Sequence, residues 1–192
     1  MQIMACLLLM ILMLCGCGGE AAELTGNTVI INKDGSIDLV LLESFAQSYY
    51  SETELMQMVN EEVAAYNAAY GADKIVVGEH NLLNGVMQLE LHFADAASFN
   101  GYMPENLLIG TIQDAYNGGY DFNRSLNIVG KEGATIGKND LQNMADENVV
   151  VLNGAMTVRC PNKVTYYSQG MQMDDAKTVT AQTEGVYFII YK

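Results

Sequence analysis

An α+β domain is the fold class this chain predicts: antiparallel β-hairpins with one main amphipathic helix packed on a sheet, the second half mostly β with short helices. Three observations carry that prediction. Asp34-Gly35 and Asn84-Gly85 each stand between two apolar runs, and such dipeptides readily adopt the positive-φ corners of tight hairpins. Between the two hairpins, apolar side chains recur at helical spacing from Leu55 to Tyr70.

Thr28–Asn32 and Ser36–Leu41 form the first hairpin around Lys33-Asp34-Gly35. Asn32, Asp34 and Gly35 lack the later acidic ligands that a calcium loop requires, so the segment reads as a turn. Ser51-Glu52-Thr53-Glu54 opens the helix as a capping box, in which Ser51 and Glu54 each satisfy a free backbone donor of the other. Leu55, Met58, Val59, Val63, Tyr66 and Tyr70 make its apolar stripe, and Gly71 stops it. The second hairpin joins 74–82 to 86–93. Its Met87, Leu89, Leu91 and Phe93 face the helix, while Val86, Gln88, Glu90 and His92 face water.

Asp95 caps a helical turn over 95–99 that Asn100-Gly101 breaks, and 107–110 is a buried strand. Residues 117–125 are the loosest central stretch, opened by the turn Asn117-Gly118-Gly119. A second short helix runs from Lys138 or Asn139 to Met144 and leads into the strand 149–152. Asn153-Gly154 is a further hairpin turn before Met156–Arg159. Strands at 163–167 and 186–191 flank a polar, methionine-bearing loop at 168–177.

The chain carries nine Lys and Arg against 23 Asp and Glu, all of them after Cys17, for a net charge of −14. That charge opposes nucleic-acid phosphates, which need clustered cations, and anionic lipid head groups. Ahead of it, residues 3–14 are continuously apolar: too short for a bilayer span of roughly twenty residues, but suited to a signal core. They end in Leu14-Cys15-Gly16-Cys17, which resembles the lipobox of bacterial prolipoproteins.

That resemblance implies a signal peptide over 1–16, acylation of Cys17, a tether over 17–27 and an acidic domain over 28–192, with a possible division into two subdomains near 95–125. It implies a protein held by lipid on the extracytoplasmic face of the cell membrane, where two or more acyl chains give stable anchoring. The tether after Cys17 reaches at most about 35 Å. The segments Ser51–Tyr66 and Phe99-Asn100-Gly101 are similar to uncharacterised lipoproteins of Gram-positive gut bacteria, and that likeness implies no activity. With Cys6 and Cys15 removed and Cys17 acylated, Cys160 is the single remaining thiol, so no disulfide framework is expected within one chain.

Candidates for chemistry are few. His80 and His92 fall out of register around Asn84-Gly85, with His80 nearer Leu89, and Glu90 with His92 offers two metal ligands where three or four must converge. Cys160 has no histidine base in sequence and reads as a small apolar residue at a strand end. Gly133–Lys138 has three residues between its glycines where a phosphate loop has four, with Asn139 in the Ser/Thr position, and no cofactor is predicted. Tyr49-Tyr50, Tyr116, Tyr120, Tyr166-Tyr167, Tyr187 and Tyr191 offer an aromatic surface for a protein or envelope component, with Tyr166, Tyr167, Tyr187 and Tyr191 as the candidate binding residues; strand packing is the competing explanation for the same tyrosines. The expected function is therefore a non-enzymatic binding or structural module. An envelope-associated hydrolase would require some of Glu90, His92, Asp121, Arg124 and Asp174 to meet in one pocket. A two-lobed solute receptor suits neither the length nor the antiparallel pattern.

Overall fold

The computed structural model describes residues 26–192, so Cys17 and the lipobox reading lie outside the described residues. In order, the elements of the first half are β1 (Thr28–Ile31), β2 (Ile37–Ser44), α1 (Glu52–Tyr70), β3 (Ile75–Leu83) and β4 (Val86–Phe93). Then come α2 (Ala96–Tyr102), β5 (Asn106–Thr111), α3 (Ile112–Asn117), β6 (Leu126–Ile128), β7 (Thr135–Ile136) and α4 (Lys138–Gln142). The chain closes with β8 (Asn148–Asn153), β9 (Thr157–Arg159), β10 (Val164–Ser168), β11 (Met171–Met173), β12 (Thr178–Ala181) and β13 (Val186–Tyr191). The fold is mixed and mostly β, and among the described residues no helix is long and apolar enough to cross a membrane.

Both early hairpins form as the sequence predicts. β1 pairs β2, β3 pairs β4, and Asn84 (φ 53°) with Gly85 (φ 76°) makes the mirror-image turn that matches strand twist. His80 lies opposite Leu89, and Met87, Leu89, Leu91 and Phe93 are all buried on one face. Ser51 caps α1 by accepting the Glu54 N–H at 3.3 Å, although the reciprocal bond from Glu54 is not formed. The buried stripe of α1 is Met56, Val59 and Val63; Met58, expected in it, is 55% exposed, and so is Tyr70 at 68%. The helix thus seats on a narrow seam, with Leu55 and Tyr66 at its margins.

The second half departs from the sequence reading because its strands go to two sheets. The first sheet has the order β11-β12-β9-β1-β2-β4-β3, and the second β5-β8-β13-β10-β6-β7. Asn153-Gly154 therefore turns no hairpin: β8 lies in the second sheet and β9 in the first, where β9 pairs β1 in parallel. Residues 168–177 are not simply a loop, since β11 folds back on β12 there. The suggested break near 95–125 does not separate the sheets either, because β9, β11 and β12 complete a sheet begun at Thr28.

One core fills the space between the inner face of the first sheet, α1, α2 and one face of the second sheet, with Leu39, Phe93, Phe99, Val158 and Ile189 in it. A second core covers the other face of the second sheet: Phe122, Phe188, Ile190, Val151 and Leu141, under α3 and α4.

Two helical asparagines finish the sheet edges. Asn67 on α1 bonds both the N–H (2.9 Å) and the C=O (2.7 Å) of Ile75 on edge strand β3. Asn100 on α2 does the same for Leu107 on edge strand β5, both at 2.7 Å. Each amide mimics a neighbouring strand at one buried residue, where an unpaired backbone group would be costly. Asn100-Gly101 hence does not break α2. The helix runs through it, and a Cβ at Gly101 would come 2.5 Å from the Tyr66 hydroxyl of α1, so that ring would have to shift.

Candidate functional site

An apolar concavity lies where β2 outruns the sequence expectation and continues to Ser44. The chain must then turn to reach α1, and it does so against the tip of the second hairpin. The Phe45 N–H donates to the Gly85 carbonyl at 2.7 Å, and the Tyr50 N–H to the Gln47 carbonyl at 3.1 Å. Gly85 permits this approach, since a Cβ on it would press to 3.2 Å from the Ala46 Cβ. The turn leaves Phe45 and Tyr50 stacked at 4.9 Å, with Tyr49 edge-on to Tyr50 at the same distance.

Beneath these rings is a groove of about 370 Å³. Leu41, Met87 and Leu89 form its floor, Leu55 and Val59 of α1 its wall, and Phe45 with Tyr50 its lip. Glu43 and Ser44 are its polar members. Tyr50 (45% exposed) lines it and Tyr49 (75%) packs on Tyr50, while Leu83 (63%) and Val86 (43%) are exposed on the other face of the neighbouring hairpin tip. Val86 sits opposite Ser44 in the ladder, so the hairpin tip and the aromatic loop form one end of the molecule.

The carboxylates here are Glu43 on the groove and Glu52 and Glu54 beside it, with His80 facing Glu52 at 3.5 Å. Glu52 and Glu54 occupy the first turn of α1, and no Lys or Arg lies on that helix. Lys74 is the sole Lys or Arg between Lys33 and Arg124, and its ammonium is paired with Asp95 at 2.8 Å. The Lys74 bond, with those from Ser98, holds the Asp95 carboxyl down at about 2.

Two further clefts are more polar. One, of about 570 Å³, lies between the β1–β2 turn and the ends of β8 and β13; Asn32, Asp34, Asn148 and Tyr191 line it. The other, of about 450 Å³, is bounded by the Gly130–Gly133 loop, Tyr167 and Met173.

The four tyrosines proposed as a binding surface do not make one. Tyr187 and Tyr191 are each only 6% exposed, and the Tyr187 hydroxyl donates to the Thr183 carbonyl at 2.9 Å. Tyr167 packs with them on the first core, whereas Tyr166 points to the second. Strand alternation, with a register shift between Val164 and Tyr166, divides the four between faces, and both faces of this sheet are covered.

The catalytic candidates are equally dispersed. His92 Nδ1 meets Asp38 Oδ1 at 2.6 Å on the outer face of the first sheet, and Asn32 donates to the other Asp38 oxygen at 3.0 Å. Gly78 makes room for this ring, since a Cβ there would come 2.8 Å from His92 Nε2. His80 turns instead toward Glu52, at 3.5 Å. Asp121 is paired with Lys138 at 2.6 Å, Arg124 reaches the Val186 carbonyl at 3.4 Å, and Asp174 accepts from Thr180 at 2.6 Å on the far edge of the first sheet. Among the described residues, no three His, Cys, Asp or Glu are placed to hold a metal ion. Cys160 is buried, and burial pushes its thiol up to about 12, too high to supply thiolate at ordinary pH.

No protein-family model matches the chain, and no curated protein or solved structure matches it. The site therefore stands on its own geometry. Of the tyrosines the sequence offers as an aromatic surface, Tyr49 and Tyr50 are exposed beside the groove; the groove itself carried no signal beyond the crowding of Phe45, Tyr49 and Tyr50 between a strand and a capped helix.

Proposed function

We propose that this protein is a lipid-anchored extracytoplasmic binding module, carried on an acylated Cys17 at the cell envelope. In class we read its domain as α+β, with α1 the one long helix. The observation that carries the binding role is the preformed apolar groove under Phe45 and Tyr50. Such a concavity, lipped by exposed Tyr50, suits capture of an apolar side chain, with aromatics as the usual anchors of interfaces. The lipobox resemblance at Leu14–Cys17 supports the anchorage. An envelope-associated hydrolase draws no support from Glu90, His92, Asp121, Arg124 and Asp174, whose side chains keep separate company.

Intact mass of the membrane-extracted protein from a Gram-positive host tests the anchor. Loss of residues 1–16 with a gained diacylglyceryl group, abolished by Cys17→Ala, is the expected result. An unlipidated mass would remove the envelope placement. The binding role is tested by placing a benzophenone amino acid at position 50 in the same host, where a discrete crosslinked species is expected on irradiation.

A further inference from the structure

The groove's surroundings narrow what it can hold, and we propose that its occupant is a cationic amphipathic segment of a partner protein: an aromatic or aliphatic anchor flanked by Lys and Arg. The proposal rests on the binding-module reading. Its apolar half follows from the floor and wall, where Met87, Leu89 and Val59 are 9% exposed or less, so that an inserted side chain would extend an existing core. The volume suits one or two side chains, not a whole domain.

Its cationic half follows from charge. Glu43 stands on the rim, Glu52 and Glu54 follow the lip at the helix start, and Glu61 and Glu62 lie further along the same helix. The nearest cation in the chain after Lys33 is Lys74, and Asp95 already holds it. A second copy of the chain, itself of net charge −14, would bring its own acidic surplus toward this rim, and an anionic membrane would be repelled in the same way. Acidic rim charges instead steer and orient a basic partner while the apolar contact holds it.

The test uses the full acylated chain in nanodiscs of zwitterionic lipid, with empty nanodiscs as the blank. The probe is a labelled helical peptide of about fifteen residues, long enough for one apolar stripe, with Leu and Phe on one face and Lys elsewhere. Its twin carries Glu in place of every Lys. The Lys peptide is expected to bind saturably and the Glu peptide not to bind. Tyr50→Ala, at an exposed site that folding does not need, should weaken the Lys peptide about tenfold. Glu43→Gln, or salt raised from about 0.05 to 0.5 M, should weaken it severalfold. No binding, equal binding of the two peptides, or binding indifferent to Tyr50→Ala would each overturn the proposal.

The benzophenone at position 50 separates this failure from failure of the binding role itself. A crosslink to a Lys/Arg-rich segment agrees with the proposal. A crosslink to an acidic or uncharged segment, or to a second copy, keeps the binding role and overturns the cationic occupant. Absence of any crosslink overturns both.

Discussion

The two sheets solve the same burial problem differently. In the first sheet β4 alternates, with Met87, Leu89, Leu91 and Phe93 buried and Val86, Gln88, Glu90 and His92 turned outward, because among the described residues neither hydrophobic core extends over its outer face. In the second sheet β8 and β13 do not alternate in chemistry. Val149–Leu152 and Tyr187–Tyr191 are buried throughout, with odd and even residues dealt to separate cores. A strand covered on both faces must be apolar on both, a pattern more familiar from parallel sheets, yet these strands pair antiparallel. Continuous apolar runs therefore report burial on two faces and say nothing of strand direction. The same difference explains the tyrosines: Tyr49 and Tyr50 are exposed at the open end of the first sheet, while Tyr187 and Tyr191 of the second became core.

Substitutions at neighbouring positions would break or sharpen this comparison. Ile189→Ala and Ile190→Ala, which face different cores, should each cost about 2–5 kcal/mol by urea unfolding, whereas Leu91→Ala should cost as much and Glu90→Ala no more than about 0.5. A cheap Ile190→Ala would mean that the second core adds little stability. The asparagine plugs come next: Asn100→Ala on the second sheet and Asn67→Ala on the first should each lose about 1–3 kcal/mol, since both leave a backbone donor and acceptor of a buried residue unpaired. Unequal losses would show that only one edge depends on its plug.

Gly101→Ala examines the seam between the helices of the two sheets. It should destabilise by about 1–3 kcal/mol through the clash with Tyr66, and Tyr66→Phe in the same background should recover part of that. The smallest effect is expected at Asp95, which caps α2 and pairs with Lys74 just ahead of β3. Its folded value of about 2 lies below the ordinary carboxylate value of about 3.9, so its stabilisation is complete above that value and fades as pH falls toward 2. Asp95→Asn should lose less stability than the parent across that window; parallel acid titrations of the two would refute the linkage.

Legibility followed sequence distance. The hairpins, the Ser51 cap and the His80–Leu89 register are local, so turn chemistry and alternation were enough to read them. Asn153-Gly154 looked like those hairpins but joins two sheets, because the better partners of β9 are β1 and β12, far away in the chain. The Thr111–Asp114 capping box that begins α3 went unread, hidden behind the apolar strand it follows. Met58 was assigned to the buried stripe for want of knowledge of how narrow a seam the sheet would offer. Of the groove, the sequence showed the aromatic crowding at 45–50 and the surplus of acid around it, without showing that they meet.

The sequence by itself determined the local units of this protein, its charge and the lipobox resemblance, since each depends on residues within a turn or two of one another. Only the tertiary structure decided which strands share a sheet, which tyrosines reach water and where Leu41, Leu55 and Met87 meet to form a groove. Those outcomes depend on pairing and packing between residues far apart in the chain, and no local propensity encodes which distant partner wins.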